Sequence, residues 1–300
     1  MPLGIDMEKK RIVVTGMGIV SCLGNDPDLF YQNLLAGKSG ISTITAFPCD
    51  DFPTRIAGSV KDFDPGEYID RKQARRVDRF IAFTMVAGKK ALESAKLYPH
   101  IPESLDRSRC GIVIGSGMGG MTTFSEGVTI LLQKGLKRLT PFLIPYILTN
   151  MAGGLLAMDL GFLGPNYSIS TACATSNNCI YAAAAHIRSG DADLVVCGGV
   201  EAPLIPIGLG GFCAIKALSE RNDAPEKASR PFDKNRDGFV MAEGAGILVL
   251  ESLEHALKRG APIFAEYLGG GLSCDAHHIT EPRGDGAGVG ARRAEDGVRD

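Results

Sequence analysis

Residues 166–187 read NYSISTACATSNNCIYAAAAHI, and this stretch limits the possible folds more sharply than any other. The alternating run over residues 167–171 predicts a short buried strand, and the small residues from Tyr181 to Ala185 predict a helix packed close against its neighbours. Cys173 stands at the change. A helix start leaves backbone N–H groups unpaired and carries the positive end of the helix dipole, so a thiol there is favoured as the nucleophilic thiolate. Strand, sharp turn, nucleophile, helix is one way enzymes present a reactive atom. On local context alone the competing reading is a small buried hydrophobe among alanines and serines.

The rest of the chain decides what surrounds that thiol. The 38 glycines cluster after apolar runs and predict tight strand-to-helix turns. A formal charge of −2, with no segment dominated by Lys and Arg, argues against nucleic acid as a partner. Eight cysteines without a C-x-x-C pair or zinc-type His/Cys spacing imply a reducing compartment and no metal. The first residues, MPLGIDMEKKRIVV, have neither the apolar core of a secretory signal nor the Arg/Ser-rich character of a full transit peptide. Residues 140–158 are uncharged and long enough for a membrane span, but Pro141, Pro145, Thr149, Asn150 and the Gly153-Gly154 pair make them a buried soluble segment; no membrane is expected.

Strand and helix patterns alternate along the chain. RIVVTGMG (residues 11–18) predicts a strand ending in a glycine turn, and LFYQNLLAG a helix closed by Gly37. From Asp70 onward one helix is predicted, with Val77, Ile81, Thr84, Met85 and Leu92 at helical spacing. Its first turns carry Arg71, Lys72, Arg75, Arg76 and Arg79, which read as a solvated face or as a dock for an acidic partner. CGIVI (110–114) predicts a strand, followed by GSGMGG, which fits G-x-G-x-x-G. Where a dinucleotide site wants an acidic residue about 20 positions on, this chain has Lys134, Lys137 and Arg138, so the glycines read as close packing. LVVCGGVEA predicts another strand. Strand, helix, strand over residues 167–200 is then a βαβ unit with parallel strands, and the chain falls in the α/β class with a largely buried sheet.

Three further segments carry no chemistry of their own. Asp233, Asn235, Asp237 and Gly238 open like a calcium loop, but the twelfth place is Gly244 with Glu243 one position early, so a turn is expected. GAGILVLE reads as a strand, residues 254–259 as a short helix and IFAEYLGGGL as a strand. The loop CDAHHITEP holds His277 and His278 without a third ligand, so no metal site is expected there.

TGMGIVSCLGN, GSGMGG, GPNYSISTACATS, IGLGGFCAIKALS and ASRPFDKNRDGFVMAEGAG, in this order, resemble the β-ketoacyl-acyl-carrier-protein synthases, with STACATSNNC, CDAHH and EYLGG closest to the plastid type I branch. The resemblance covers nearly the whole chain, from Arg11 to Gly288. It implies a thiolase-like α-β-α-β-α layered fold, with residues 9–265 as the N-terminal half and 266–300 as the opening of the second half. It further implies a homodimer, acyl carrier protein as partner, no cofactor, and a plastid stroma or bacterial cytoplasm as location. Cys173 matches the nucleophile that accepts an acyl group, with its own N–H as one oxyanion donor. Met118 and Phe212 match walls of the acyl pocket, and Asp275 and Thr280 match a gating loop. Lys72, Arg75, Arg76, Lys137 and Arg138 match carrier-docking positions. The family's two catalytic histidines lie in sequence contexts that none of His100, His186, His255, His277 and His278 shares, and His186 reads as a helix-face core residue. The last residues, GVGARRAEDGVRD, also depart from the apolar helix expected there. The chain is therefore expected to transfer acyl groups at most slowly and not to condense them. The alternatives are a non-catalytic dimerisation or carrier-binding partner of a full-length synthase, and a polyketide-type condensing enzyme.

Overall fold

The computed structural model describes residues 10–286 and Gly288, so the divergent final residues lie outside the described part. One mixed sheet organises it. The first strand, β1 (Ile12–Val20), leads to helix α1 (Pro27–Leu35) and to a small ladder of β2 (Ser42–Thr43) with β3 (Ile56–Ala57). Helices α2 (Arg71–Ala74) and α3 (Arg79–Ser94) precede β4 (Cys110–Gly115), and α4 (Met121–Lys134), α5 (Leu143–Ile147) and α6 (Met151–Leu160) follow it. Next come β5 (Asn166–Tyr167), α7 (Thr175–Ser189), β6 (Leu194–Glu201), α8 (Pro206–Ala214), β7 (Gly244–Ser252), α9 (Leu253–Lys258) and β8 (Ala265–Tyr267).

Sheet order is β5-β4-β6-β7-β1-β8. Strands β4, β5 and β6 are mutually parallel, whereas β7 is antiparallel to both β6 and β1, and β8 to β1. The expected βαβ unit is present, with β4 lying between its two strands. Every residue of β4 is buried, because helices cover both faces. On one face α3 and α6 bring Phe80, Ile81, Met85, Leu92 and Leu156 onto Ile112, Ile114, Val196 and Val249. On the other, α7 brings Cys179, Ala183, Ala184 and Ile187 onto Val113, Val195, Cys197 and Leu250. Among the described residues this is one α-β-α unit of the expected layered fold.

Local expectations fail at several places, and residues 140–158 are not buried throughout, since Phe142, Ile144, Leu148 and Met158 are exposed. Residues 167–171 do not form a buried strand: β5 is a two-residue exposed edge, and the chain then leaves the ladder because its polar groups bond locally, Thr171 N–H donating to Thr175 Oγ1 at 2.8 Å. Strand β1 does not end at its glycines. It runs on to Val20, and Gly16 and Gly18 let α3 cross it closely: a Cβ on Gly18 would lie 2.6 Å from Ala91 N, and one on Gly16 2.9 Å from Ala95 Cβ. The helix predicted from Asp70 is two helices. Asp78 breaks it as the N-cap of α3, accepting from Phe80 N–H at 3.3 Å, while its other oxygen accepts from Thr123 N–H of α4 at 2.8 Å.

Glu251 is fully buried in β7 and joins four elements. Its carboxylate accepts from Arg259 Nε at 2.8 Å, sits 2.6 Å from His255 Nδ1 and takes the Thr15 hydroxyl of β1, while Arg259 Nη1 reaches Ala95 O after α3 at 2.8 Å. Burial pushes the Glu251 carboxyl up, but the bonds from Arg259, His255 and Thr15 outweigh it, and the net displacement is downward. Asp193 is likewise lowered, first by its ion pair with Arg109. A carboxyl lowered on folding contributes stability above its ordinary value, 4.5 for Glu251 and 3.8 for Asp193, and loses it as pH falls through the lowered value. Urea midpoints measured from pH 7 downward are expected to hold near neutrality and fall steeply below those values.

Candidate active site

Cys173 is placed by a single 3-10 turn, Ala172–Ala174, between the end of the edge strand and α7. Ala172 has φ +48°, a left-handed conformation that costs a residue with a Cβ on the order of 1–3 kcal/mol. The turn holds that strain because Thr171 is tied at both ends, its N–H to Thr175 and its hydroxyl to Asn178 Nδ2 at 2.7 Å. The result is an exposed Cys173 just ahead of a helix whose first turn no side chain caps. Cys110, Cys179 and Cys197 are buried, and burial pushes their thiols up, Cys110 to about 12, which keeps them protonated and unreactive. Cys274 is also exposed, on a distant part of the sequence.

The thiol opens into a cavity of about 580 Å³ at the carboxyl ends of β4 and β6, the usual position for a ligand on an open α/β sheet. Met118 and Phe212 line it, with Val200, Pro203, Phe239 and Met241. Glycines bring the walls together. A Cβ on Gly115 would lie 2.8 Å from Cys179 Sγ, and one on Gly199 2.9 Å from Ser176 Cβ, so the start of α7 can sit directly over the strand ends. The reading of GSGMGG as a packing device agrees with this.

One lining residue was not foreseen. Glu201, the last residue of β6, accepts from Ser116 Oγ at 2.8 Å, Gly117 N–H at 2.8 Å and Met118 N–H at 3.2 Å. The sequence signal was available: an acid closing the otherwise apolar strand LVVCGGVE has to find donors.

Other candidates lie elsewhere. Asp275 and Thr280 are not in the cavity lining; Asp275 accepts from Arg283 N–H at 3.1 Å, and Thr280 N–H donates to His278 Nδ1 at 3.2 Å within the same loop. Arg75 and Arg76 line a second, polar cavity with Arg71 and Arg79, against Asp64, Asp78 and Glu126, and Lys72 is exposed beside them. Arg79 is engaged there by Glu243 at 2.8 Å. Lys137 and Arg138 form a turn at the far end of α4, about 20 Å away by helix rise. Within one chain, therefore, the five basic positions form two groups. Among the described residues no histidine lines the Cys173 cavity. His186 is not a core residue but a partly exposed one, set between Tyr167 Oη at 2.9 Å and Asp191 Oδ2 at 3.0 Å, because the exposed β5 leaves that end of α7 open. Among the described residues no three His, Cys, Asp or Glu side chains cluster as metal ligands, and no helix is long and apolar enough to cross a membrane.

The β-ketoacyl synthase N-terminal domain profile matches residues 9–256. The chain is 61% identical over 281 residues to the chloroplastic 3-oxoacyl-[acyl-carrier-protein] synthase I of Arabidopsis thaliana, covering 94% of this chain and 59% of that one. It is 48% identical to 3-oxoacyl-[acyl-carrier-protein] synthase 2 of Vibrio harveyi, over 98% and 70% of the two chains. A solved β-ketoacyl synthase from Burkholderia phymatum superposes with a TM-score of 0.82 at 32% identity, over 92% and 67%. A type II polyketide ketosynthase, solved with its acyl-carrier protein and a bound hexaketide, superposes with a TM-score of 0.83 at 31% identity, over 95% and 68%. The chain spans about three-fifths of the length of its plant relative. With the profile matched over most of its length and the fold shared with solved ketosynthases, the chain belongs to the β-ketoacyl synthase family.

Proposed function

We propose that this chain carries the acyl-accepting part of a 3-oxoacyl-acyl-carrier-protein synthase of fatty acid biosynthesis. The observation that supports it is the exposed Cys173 opening into a mainly apolar cavity of about 580 Å³. The Cys173 thiolate attacks the thioester carbonyl of acyl-acyl carrier protein, with the Cys173 N–H donating to the oxyanion. The bond to the carrier sulfur breaks, and the carrier leaves as a thiol with the proton Cys173 gave up. The acyl chain lies along Met118 and Phe212. In the complete reaction malonyl-acyl carrier protein loses CO₂, its carbanion attacks the Cys173 thioester, and the cysteine thiolate is released from a 3-oxoacyl product two carbons longer. This chemistry needs no metal or redox cofactor.

Residues 9–265 form the N-terminal half in this reading, and residues 266–300, beginning inside β8, open the second, with Asp275 and Thr280 on its gating loop. Lys72, Arg75 and Arg76, and separately Lys137 and Arg138, attract the acidic carrier. The chloroplastic and bacterial relatives favour a plastid stroma or a bacterial cytoplasm. Phe124 and Leu132 of α4, Leu136 in the turn after it, Ile144 of α5, Met158 of α6 and Leu163 just after it are exposed, and α6 packs on the β5 edge, which makes a face suited to a homodimer.

Radiolabelled acyl-acyl carrier protein is expected to leave its label on Cys173 and none on Cys173→Ala; equal labelling of the variant would sink the reading. Reversing charge in Arg75→Glu/Arg76→Glu is expected to slow carrier-borne acylation about tenfold, a 1.4 kcal/mol effect, and to leave a small soluble acyl thioester unaffected. Because no described histidine lines the cavity, the 300-residue chain is expected to acylate slowly and not to condense. That feature, with the exposed apolar face, favours a second reading as a non-catalytic partner of a full-length synthase. Co-purification of an inert Cys173→Ala chain with such a synthase would support it.

A further inference from the structure

We propose that Glu201 is a positioning residue that sets how deep an alkyl chain reaches past Cys173, by holding the turn that carries Met118. In its acyl form this rests on the acceptor reading above. Among the described residues Glu201 is the only carboxylate lining that cavity. An unpaired carboxylate against apolar walls is costly, and here both oxygens are engaged by three consecutive residues of one turn. Ser116 donates its hydroxyl at 2.8 Å, and Gly117 and Met118 donate their N–H groups at 2.8 and 3.2 Å. Ser116 Oγ in turn accepts from Gly119 N–H at 2.9 Å, so the whole turn is pinned from one side chain.

The fit is tight and its anchor is rigid. A Cβ on Gly117 would lie 2.8 Å from Glu201 Oε2, so the carboxylate sits directly against the turn. Glu201 itself closes β6, where it pairs with Gly244 of β7. The sheet thus fixes the carboxylate, and the carboxylate fixes the backbone beneath Met118. Methionine has three rotatable bonds and fills whatever space its backbone allows, so a fixed backbone is what gives this wall a definite position. Glutamine is nearly isosteric but has one acceptor oxygen. With that oxygen kept on Ser116 and Met118, its NH₂ faces the Gly117 N–H and the turn loosens.

N-alkyl iodoacetamides from ethyl to tetradecyl test this without any acyl transfer: the Cys173 thiolate forms a C–S bond, iodide leaves, and the thiol proton goes to buffer. Rates at Cys173 are read by peptide mass spectrometry for the wild type, Glu201→Gln and Ser116→Ala. In Glu201→Gln the ethyl reagent is expected to react within about twofold of wild type, and the longest reagents to change by about tenfold, the equivalent of 1.4 kcal/mol. Ser116→Ala, which keeps the carboxylate and its two N–H donors but removes the hydroxyl that donates to it and accepts from Gly119 N–H, is expected to shift the length profile in the same direction by less, and it carries the test alone should Glu201→Gln fail to fold. Length profiles that superimpose on wild type, or that scale by one factor at every length, overturn the proposal. Failure of carrier-borne acylation beside a shifted alkylation profile overturns the acceptor reading and leaves the positioning role standing.

Discussion

Glu251→Ala is expected to lower the unfolding free energy by about 3–5 kcal/mol, the cost of breaking a buried ion pair from one side. The carboxylate is fully buried, and its removal leaves the Arg259 guanidinium, the His255 ring and the Thr15 hydroxyl facing a hole. The loss also spreads. Arg259 carries a second bond to Ala95 O, so the hold of β7 and α9 on the end of α3 weakens together with their hold on β1. Urea unfolding followed by circular dichroism measures the change. A loss below about 1 kcal/mol would show that the cluster is solvated or redundant, since exposed pairs contribute only that much. Glu251→Gln keeps the shape and one acceptor, and is expected to fall between the alanine variant and wild type.

Gly18→Ala is expected to cost about 3 kcal/mol or more, at the upper end for overpacking. Its Cβ would press on Ala87 O and lie 2.6 Å from Ala91 N, both backbone atoms of α3. A flexible side-chain tip could swing away, but a helix backbone can relieve the clash only by moving the whole α3 face off the sheet. Gly246→Ala in β7 is the control: nothing lies within 4 Å of the added carbon, and the expected loss is under about 1 kcal/mol. Similar melting temperatures for the two variants would refute the close-approach account of β1.

How much of this was legible in the sequence depends on where the deciding interaction lies. Strands β4, β6 and β7 and helix α7 follow their own periodicity, and the sequence placed them nearly where they are. The break between α2 and α3 was missed because Asp78 is held partly by Thr123, 45 residues later, and no local pattern reports that. The glycines of β1 look like a turn until α3 is known to cross them. At the site, the turn context raised Cys173 only beside the competing reading of a small buried hydrophobe, and the resemblance chose between them; Met118 and Phe212 were reachable only through resemblance, being ordinary apolar side chains in isolation. Glu201 was legible in principle, as an acid closing a buried strand, but its partners lie 83 to 85 residues earlier.

The placement of β1 bears on the order in which the molecule can be assembled. Its neighbours in the sheet are β7 and β8, and Thr15 meets Glu251 across 236 residues. At the usual pace of synthesis, about 5–20 residues per second, this first strand emerges on the order of 10–50 s before its partner exists. Helix α3 can cover one of its faces early, but both hydrogen-bonding edges stay open throughout that interval. The nascent chain therefore carries an apolar, unpaired strand throughout that interval, and chaperone occupancy is expected to concentrate on residues 12–20 until β7 has left the ribosome.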